Sequence, residues 1–249
     1  MSLLISSVYT YDADASAYIL AVEAADGQTL EPATRSAINK FVVGCKADGI
    51  WTAIKASCIL SGARTLAGAL VPLVGTAPTN NNFVSGDYNR KTGLVGNGTT
   101  KYLNSNRSGS ADPQDNMHIS ALVSAVGTTN QILGQTASFN AAGVTNISST
   151  FFVRNRSQTA DSIGLTFGGL VGVSRSSGSG YTVRASQSNA TVTRTAQAPA
   201  SGNFIVFGRT LGNLTDARLA FYSIGESLDL ALLDTRVTDL INAFAVTIP

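Results

Sequence analysis

From Phe83 to Arg209 no apolar pattern runs far before Gly, Ser, Asn or Pro interrupts it. The segments NMHISALVSAV, QILGQTA, STFFVRNR, SIGLTFGG, LVGVSRSS, GYTVRASQ, ATVTRTAQ and NFIVFGR follow one another with turn residues between them. Short strands so closely spaced leave no room for crossover helices, so they predict an antiparallel sandwich or barrel and not βαβ units. No repeat of fixed length emerges, which argues against propellers and solenoids. The strand region is expected to begin near residue 76.

Helical periodicity frames this region on both sides. In TLEPATRSAINKFVVGCKADG, Pro32 suits a first turn, where its missing N–H costs nothing. Ile38, Phe41, Val42 and Cys45 form one face, and Asp48-Gly49 supplies a stop. A short helical turn at Trp51 and a small strand near Ser57 to Leu60 follow. At the other end, Leu219 to Ile224 reads as a strand apolar on both faces, broken by Gly225. Ser227 is the expected cap of a closing helix. Leu230, Leu233, Val237, Leu240, Ile241 and Phe244 recur at steps of three and four, with Asp234, Arg236, Asp239 and Asn242 between them. A helix of about five turns, roughly 30 Å long, results. Helices are therefore predicted near 31–47 and 227–245, laid on or beside the sandwich.

Hydrophobic residues make up 44% of the 249 residues, enough for a sizeable core, while charged residues are only 13%. The polar surface must then come from Ser, Thr, Asn, Gln and Gly. A net charge of +2 without any Lys/Arg run excludes a nucleic-acid partner. The start, MSLLISSVYTYDADASAYILAVEAADG, has neither a basic n-region nor an apolar stretch long enough for a membrane span, so neither a cleaved export signal nor membrane insertion is expected. Cys45 and Cys58, the only cysteines, read as small buried thiols.

The search for chemistry yields little. Glycoside hydrolysis needs two carboxylates facing one cleft. Between Phe83 and Arg209 the acids are Asp87, Asp112, Asp115 and Asp161, all in turn-like sequence and read as solvated. His118, the only histidine, stands at a strand start without an acid or cysteine pattern around it. No G-x-S-x-G elbow is present, and GGLVGVSRSSGSG lacks the GK[ST] ending of a phosphate loop. Asp112 and Asp115 are either a partial cation site or an ordinary Asp-Pro turn. Arg107, Arg154, Arg156, Arg175, Arg184, Arg194 and Arg209 are read as solvated strand residues, with interface pairing as the alternative. Trp51 is either core or a sugar platform. No catalytic, cofactor or metal residue is assigned, and the chain is expected not to be an enzyme.

Several segments, in this order, resemble a known family. Gly93, Gly96, Asn97, Gly98 and Thr99, followed by Tyr102, Leu103 and Asn104, match a glycine-rich turn before a strand. Phe221, Tyr222, Ser223 and Gly225, running into the helix that ends at Phe244, match a closing strand and helix. Together they are similar to the concanavalin A-like (laminin G-type) jelly rolls of tailed-bacteriophage virion proteins, over roughly residues 30–249. The resemblance implies a mainly β, concanavalin A-like antiparallel sandwich with flanking helices. It also implies a structural virion component, such as a head decoration, fibre or tail protein, assembled in the bacterial host cytoplasm. Other virion proteins would be its partners. The same fold hosts lectins, so a carbohydrate-binding module for host surface glycans is the alternative. Some laminin G-type folds bind calcium at the sheet rim.

Low charge and many strand edges predict an oligomer, with a homotrimer as the expected symmetry. Residues 1–29 are divided from the sandwich domain as an N-terminal arm. Leu3, Leu4, Ile5, Val8 and Tyr9, ahead of Asp12 and Asp14, suit docking on a neighbour. A strand or helix packed on its own domain is the other reading of this segment.

Overall fold

The computed structural model describes residues 11–135, 141–147 and 149–249. Helix α1 spans Ala13–Asp26, α2 Pro32–Ala47, the short α3 Leu66–Ala69 and α4 Leu230–Thr247. One sheet runs in the order β13 (Ser188–Thr193), β12 (Gly180–Ala185), β11 (Gly169–Arg175), β6 (Met117–Ala125), β17 (Arg218–Gly225), β4 (Gly93–Val95) and β3 (Tyr88–Asn89). Strand β1 (Ile54–Ile59) also pairs with β17. The second sheet runs β10 (Asp161–Ile163), β9 (Thr150–Arg154), β8 (Gly143–Ile147), β7 (Asn130–Gln135), β14 (Asn203–Val206), β5 (Tyr102–Ser108) and β2 (Thr79–Asn81). The short β15 (Gly208–Thr210) and β16 (Asn213–Leu214) flank it. Pairing is antiparallel except where β15 touches β7 at Gly208 and Leu133. The fold is a mainly β, antiparallel jelly-roll-like sandwich with helices before and after it.

The first sheet is the middle of three layers. Ile119, Ala121, Val171, Val173, Tyr222 and Ile224 pack against Ile132, Val144, Val153 and Phe204 of the second sheet. On the opposite face Leu122, Leu170, Ala220 and Phe221 pack under the helices with Phe41, Leu233, Val237 and Phe244. The Phe41 and Phe221 rings meet edge-on at 5.8 Å. Burial on both faces is the physical reason that β17 is apolar at every second position and between. Its facing differs from strict alternation, because a register shift between Leu219 and Phe221 puts Ala220 and Phe221 together on the helical side.

The glycine-rich turn is needed for close approach. A Cβ on Gly93, whose φ is +97°, would lie 2.1 Å from the Leu219 carbonyl oxygen, and one on Gly96 2.0 Å from that of Thr215. Asn97 closes the turn by accepting from the amides of Thr99, Thr100 and Lys101.

Four expectations need correction. The sheet begins before residue 76, since β1 joins β17 across a long sequence separation that no local pattern reports. Asp229, not Ser227, caps α4, accepting from the amides of Ala231 and Leu232. The Ser227 hydroxyl instead donates to Asn116 at 2.7 Å. Asp234, placed on the polar face of α4 by its spacing, is 2% exposed. Residues 13–26 are not an arm: α1 buries Ala15, Tyr18, Ile19 and Val22 in the helical layer. The apolar residues proposed for docking, Leu3 to Tyr9, lie outside the described residues.

Candidate functional site

Helices α2 and α4 pack closely because Gly44 carries no side chain. A Cβ there would meet the Arg236 side chain at 2.8 Å. Arg236 turns its guanidinium onto Asp48 as a fork, Nε to Oδ2 at 2.7 Å and Nη2 to Oδ1 at 2.8 Å. That hydrogen bonding holds the Asp48 carboxyl below the ordinary carboxylate range. Above this clamp the two helices diverge around a largely apolar cleft of about 470 Å³, with Phe41 and Leu240 at its base and Val43, Ala47 and Ala243 along its sides. Val43 is 46% exposed. Lys40 and Asp239 supply the polar rim.

The opposite flank of α2 receives α1. The Asp12 amide donates to Asn39 Oδ1 at 2.7 Å, and Lys46 Nζ bonds both Asp12 and Asp14. Trp51 Nε1 donates to Asp14 at 3.0 Å, with Lys46 lying over the indole ring at 5.8 Å. Trp51 is half-buried at this junction and serves as a brace, not as an open platform. Asn39, which holds the Asp12 amide, is also part of the cleft lining.

A second, polar cleft of about 280 Å³ opens where loops meet at one end of the sandwich, lined by Gly98, Thr128, Gln131, Asn146, Ile147 and Asn213. Beside it Asp216 accepts from the Thr129 amide at 2.8 Å and from both Thr128 and Thr129 hydroxyls. Partial burial pushes the Asp216 carboxyl up, but these bonds outweigh it and hold it at about 2. The side-chain oxygens of Gln131 and Asn146 are buried without a donor among the described residues.

The residues considered from sequence alone are scattered. Asp87 is engaged by Lys101, Asp112 by Arg107, and Asp161 by Arg194 and Tyr181, so these three are paired and not simply solvated. Asp112 is 2% exposed and its carboxylate belongs to Arg107, while Asp115 is exposed; the two do not converge on a common ion. Among the described residues no group of three or more His, Cys, Asp and Glu comes together. His118 is fully buried on the helical side of β6: Nδ1–H donates to the Glu226 carbonyl at 2.5 Å, and Nε2 accepts from the Ser223 hydroxyl at 2.8 Å. Burial pulls its pKa down to about 4. The reading of the arginines as solvated fails for three of them, since Arg156 and Arg175 are 0% exposed and Arg184 is 9% exposed. Alternation along a strand reports which face a residue takes, not that a second layer will cover that face.

No protein-family model matches the sequence, and none of the curated proteins compared with it is similar. Among solved structures the chain is similar to Trypanosoma rangeli sialidase in complex with sialic acid, with 10% identity and a TM-score of 0.45, over 79% of this chain and 34% of that one. It is similar to a GH54 α-L-arabinofuranosidase soaked with a cyclic sulfate inhibitor, with 10% identity and a TM-score of 0.39, over 59% of this chain and 40% of that one. It is also similar to domain 4 of AbnA, a GH43 extracellular arabinanase from Geobacillus stearothermophilus, in complex with arabinotriose. The identity there is 11% and the TM-score 0.39, over 68% of this chain and 82% of that one. The chain spans about a third of the sialidase. These likenesses assign no activity, but they overturn one expectation, that the chain is not an enzyme. The solved structures just named are a sialidase, an arabinofuranosidase and one domain of an arabinanase. The expectation rested on the lack of a local carboxylate motif, and a catalytic pair can be assembled from carboxylates far apart in sequence. It is withdrawn.

Proposed function

We propose that this chain is a structural component of a tailed-bacteriophage virion, working as a homo-oligomer whose α2/α4 cleft receives the N-terminal segment, residues 3–9, of a neighbouring copy. One observation carries the reading: an apolar cleft stands open beside the point where the chain enters on the same helix. The Asp12 amide is fixed to Asn39, which itself lines the cleft between α2 and α4. Exposed Lys40, Val43 and Ala47 continue the same wall of the cleft. Leu3, Leu4, Ile5, Val8 and Tyr9 supply apolar side chains to fill the cleft. Passed from each copy to the next, such an arm closes a ring, and a trimer is the expected size. The ordered series of motifs from Gly93 to Phe244 that resembles virion jelly rolls supports the particle setting, with other virion proteins as further partners.

The test is deletion of residues 1–10, read by light scattering and by incorporation into particles. The reading holds if the truncated chain is monomeric and excluded from particles. It fails if the truncated chain assembles as the intact one does.

The loop-end cleft favours a second reading, recognition of host surface glycans. Its lining is uncharged and rich in amides and hydroxyls, the groups that recognise sugar hydroxyls. Glycan-array binding that is lost in Asn146→Ala while the oligomer persists would support this reading over the first.

A further inference from the structure

At the end of the sandwich where β5 and β11 finish and β6 begins, three arginine side chains come close together. Arg107 takes the Asp112 carboxylate through both Nε and Nη2. Arg175, fully buried, is satisfied by backbone carbonyls: Nε and Nη2 donate to Asn155, Nη1 to Ser177, and Nη2 also to Arg194. Its guanidinium carbon lies 5.2 Å from the Tyr181 ring centroid. Arg156 is different. It is 0% exposed, Nη2 donates to the Asp112 carbonyl at 3.0 Å, and Nε and Nη1 have no acceptor among the described residues. The neighbouring Asn155 side chain is also 0% exposed, and neither its oxygen nor its nitrogen has a partner.

A buried cation with unmet donors is among the most costly arrangements a core can hold. Neither Arg156 nor Arg175 forms an ion pair among the described residues: the Asp112 carboxylate is committed to Arg107, and Asp115 acts on Arg175 without contact. Burial lowers the Arg156 pKa to about 10, with Asp112 opposing and Arg175 reinforcing the shift, so the group is still charged at neutral pH. Three guanidiniums stand against two carboxylates, Asp112 and Asp115, so the cluster is short of one negative charge.

We infer that Arg156 holds an internal anion site for a small monovalent anion of halide size, bound against Nε and Nη1 with the Asn155 amide N–H as a further donor. The enclosure sets the size limit: Asn155 and Arg156 are fully buried, which leaves no room for a phosphate ester or a nucleotide. Charge sets the class, since a water molecule satisfies the donors but leaves the excess of positive charge in place. The function is structural. The anion ties the loop after β9 to the loop before β6 and makes the stability of this end depend on halide.

Thermal unfolding of the full chain in sodium chloride and in sodium gluconate at equal ionic strength tests the inference. Gluconate is too large to enter, so the melting temperature should rise by about 4 °C for each tenfold increase in chloride above the dissociation constant and stay flat in gluconate. Arg156→Met removes the donors and should abolish the chloride response. If that variant does not fold, Asn155→Asp is the second test: an internal carboxylate should give a chloride-independent melting temperature. Crystals grown in bromide should show an anomalous peak beside Arg156 Nη1. Equal melting temperatures in both salts, or no bromide peak at Arg156, would overturn the proposal.

Discussion

Arg184 of β12 and Asp234 of α4 meet at 2.8 Å in the seam between the closing helix and the inner sheet, with only 10% and 3% of their side chains exposed. Asn189 accepts from Arg184 Nη1, and Thr238 donates to the other Asp234 oxygen. Every polar contact here crosses or lines the seam, so the pair fixes how α4 is rotated on the sheet. Asp234→Ala strands a guanidinium and should destabilise the fold by about 3–5 kcal/mol. The double variant Arg184→Met with Asp234→Leu should recover most of that loss. Chemical denaturation of the three proteins reads both effects, and a loss under about 1 kcal/mol in Asp234→Ala would mean the pair is solvated.

His118 makes stability depend on pH in a defined direction. Its pKa is about 4 in the fold and 6.5 for an unperturbed imidazole, so the unfolded chain binds the extra proton in between. Stability is full above pH 6.5 and falls as the pH drops through that window towards 4. The expected loss is about 2 kcal/mol between pH 7 and pH 5. His118→Gln should flatten the slope above pH 5, a range in which few carboxylates titrate. An unchanged slope would assign the dependence to another group.

The two thiols should be silent in the folded protein. Cys45 and Cys58 are both free and buried, and burial pushes each up to about 12. An aromatic disulfide reagent at pH 8 should label neither until denaturant is added, and then both together. Labelling of either one at the rate of a free thiol, with the fold intact, would contradict its placement in the core.

Gly93 is required by two constraints at once, a φ of +97° and the Leu219 carbonyl 2.1 Å from a would-be Cβ. Gly93→Ala should cost at least about 2 kcal/mol, by strain in its own backbone and by loosening β4 from β17. A melting temperature equal to that of the parent would show that the turn can be rebuilt without glycine.

What could be read from the sequence was whatever depends on neighbours in the chain. The stripe of Ile38, Phe41, Val42 and Cys45 is buried as its spacing implies, because a helix face is set by residues three and four apart. Asn97-Gly98 marks its turn because amide capping and the left-handed backbone are local properties. The pairing of Cys58 with Tyr222 in adjacent strands is invisible in this way. So is the bulge that brings Ala220 and Phe221 onto one face, since it exists only relative to β6. Arg156 and Asp234 mislead for a different reason. A charged residue reads as exposed unless its partner is known, and these partners come from distant segments. The α2/α4 cleft could not be read from the sequence, because Val43 and Ala243 come together only when two helices far apart in the chain pack.

The central claim, that this chain works as an assembly joined through the α2/α4 cleft, rests most directly on mass in solution. Light scattering behind size exclusion should be run on the intact chain, on Val43→Asp, which places a charge on the side of the cleft, and on the chain lacking residues 1–10. The account predicts a mass three times that of one chain for the intact protein, and that of a single chain for both variants. An intact protein that stays monomeric at high concentration, or variants with the mass of the intact assembly, would contradict it.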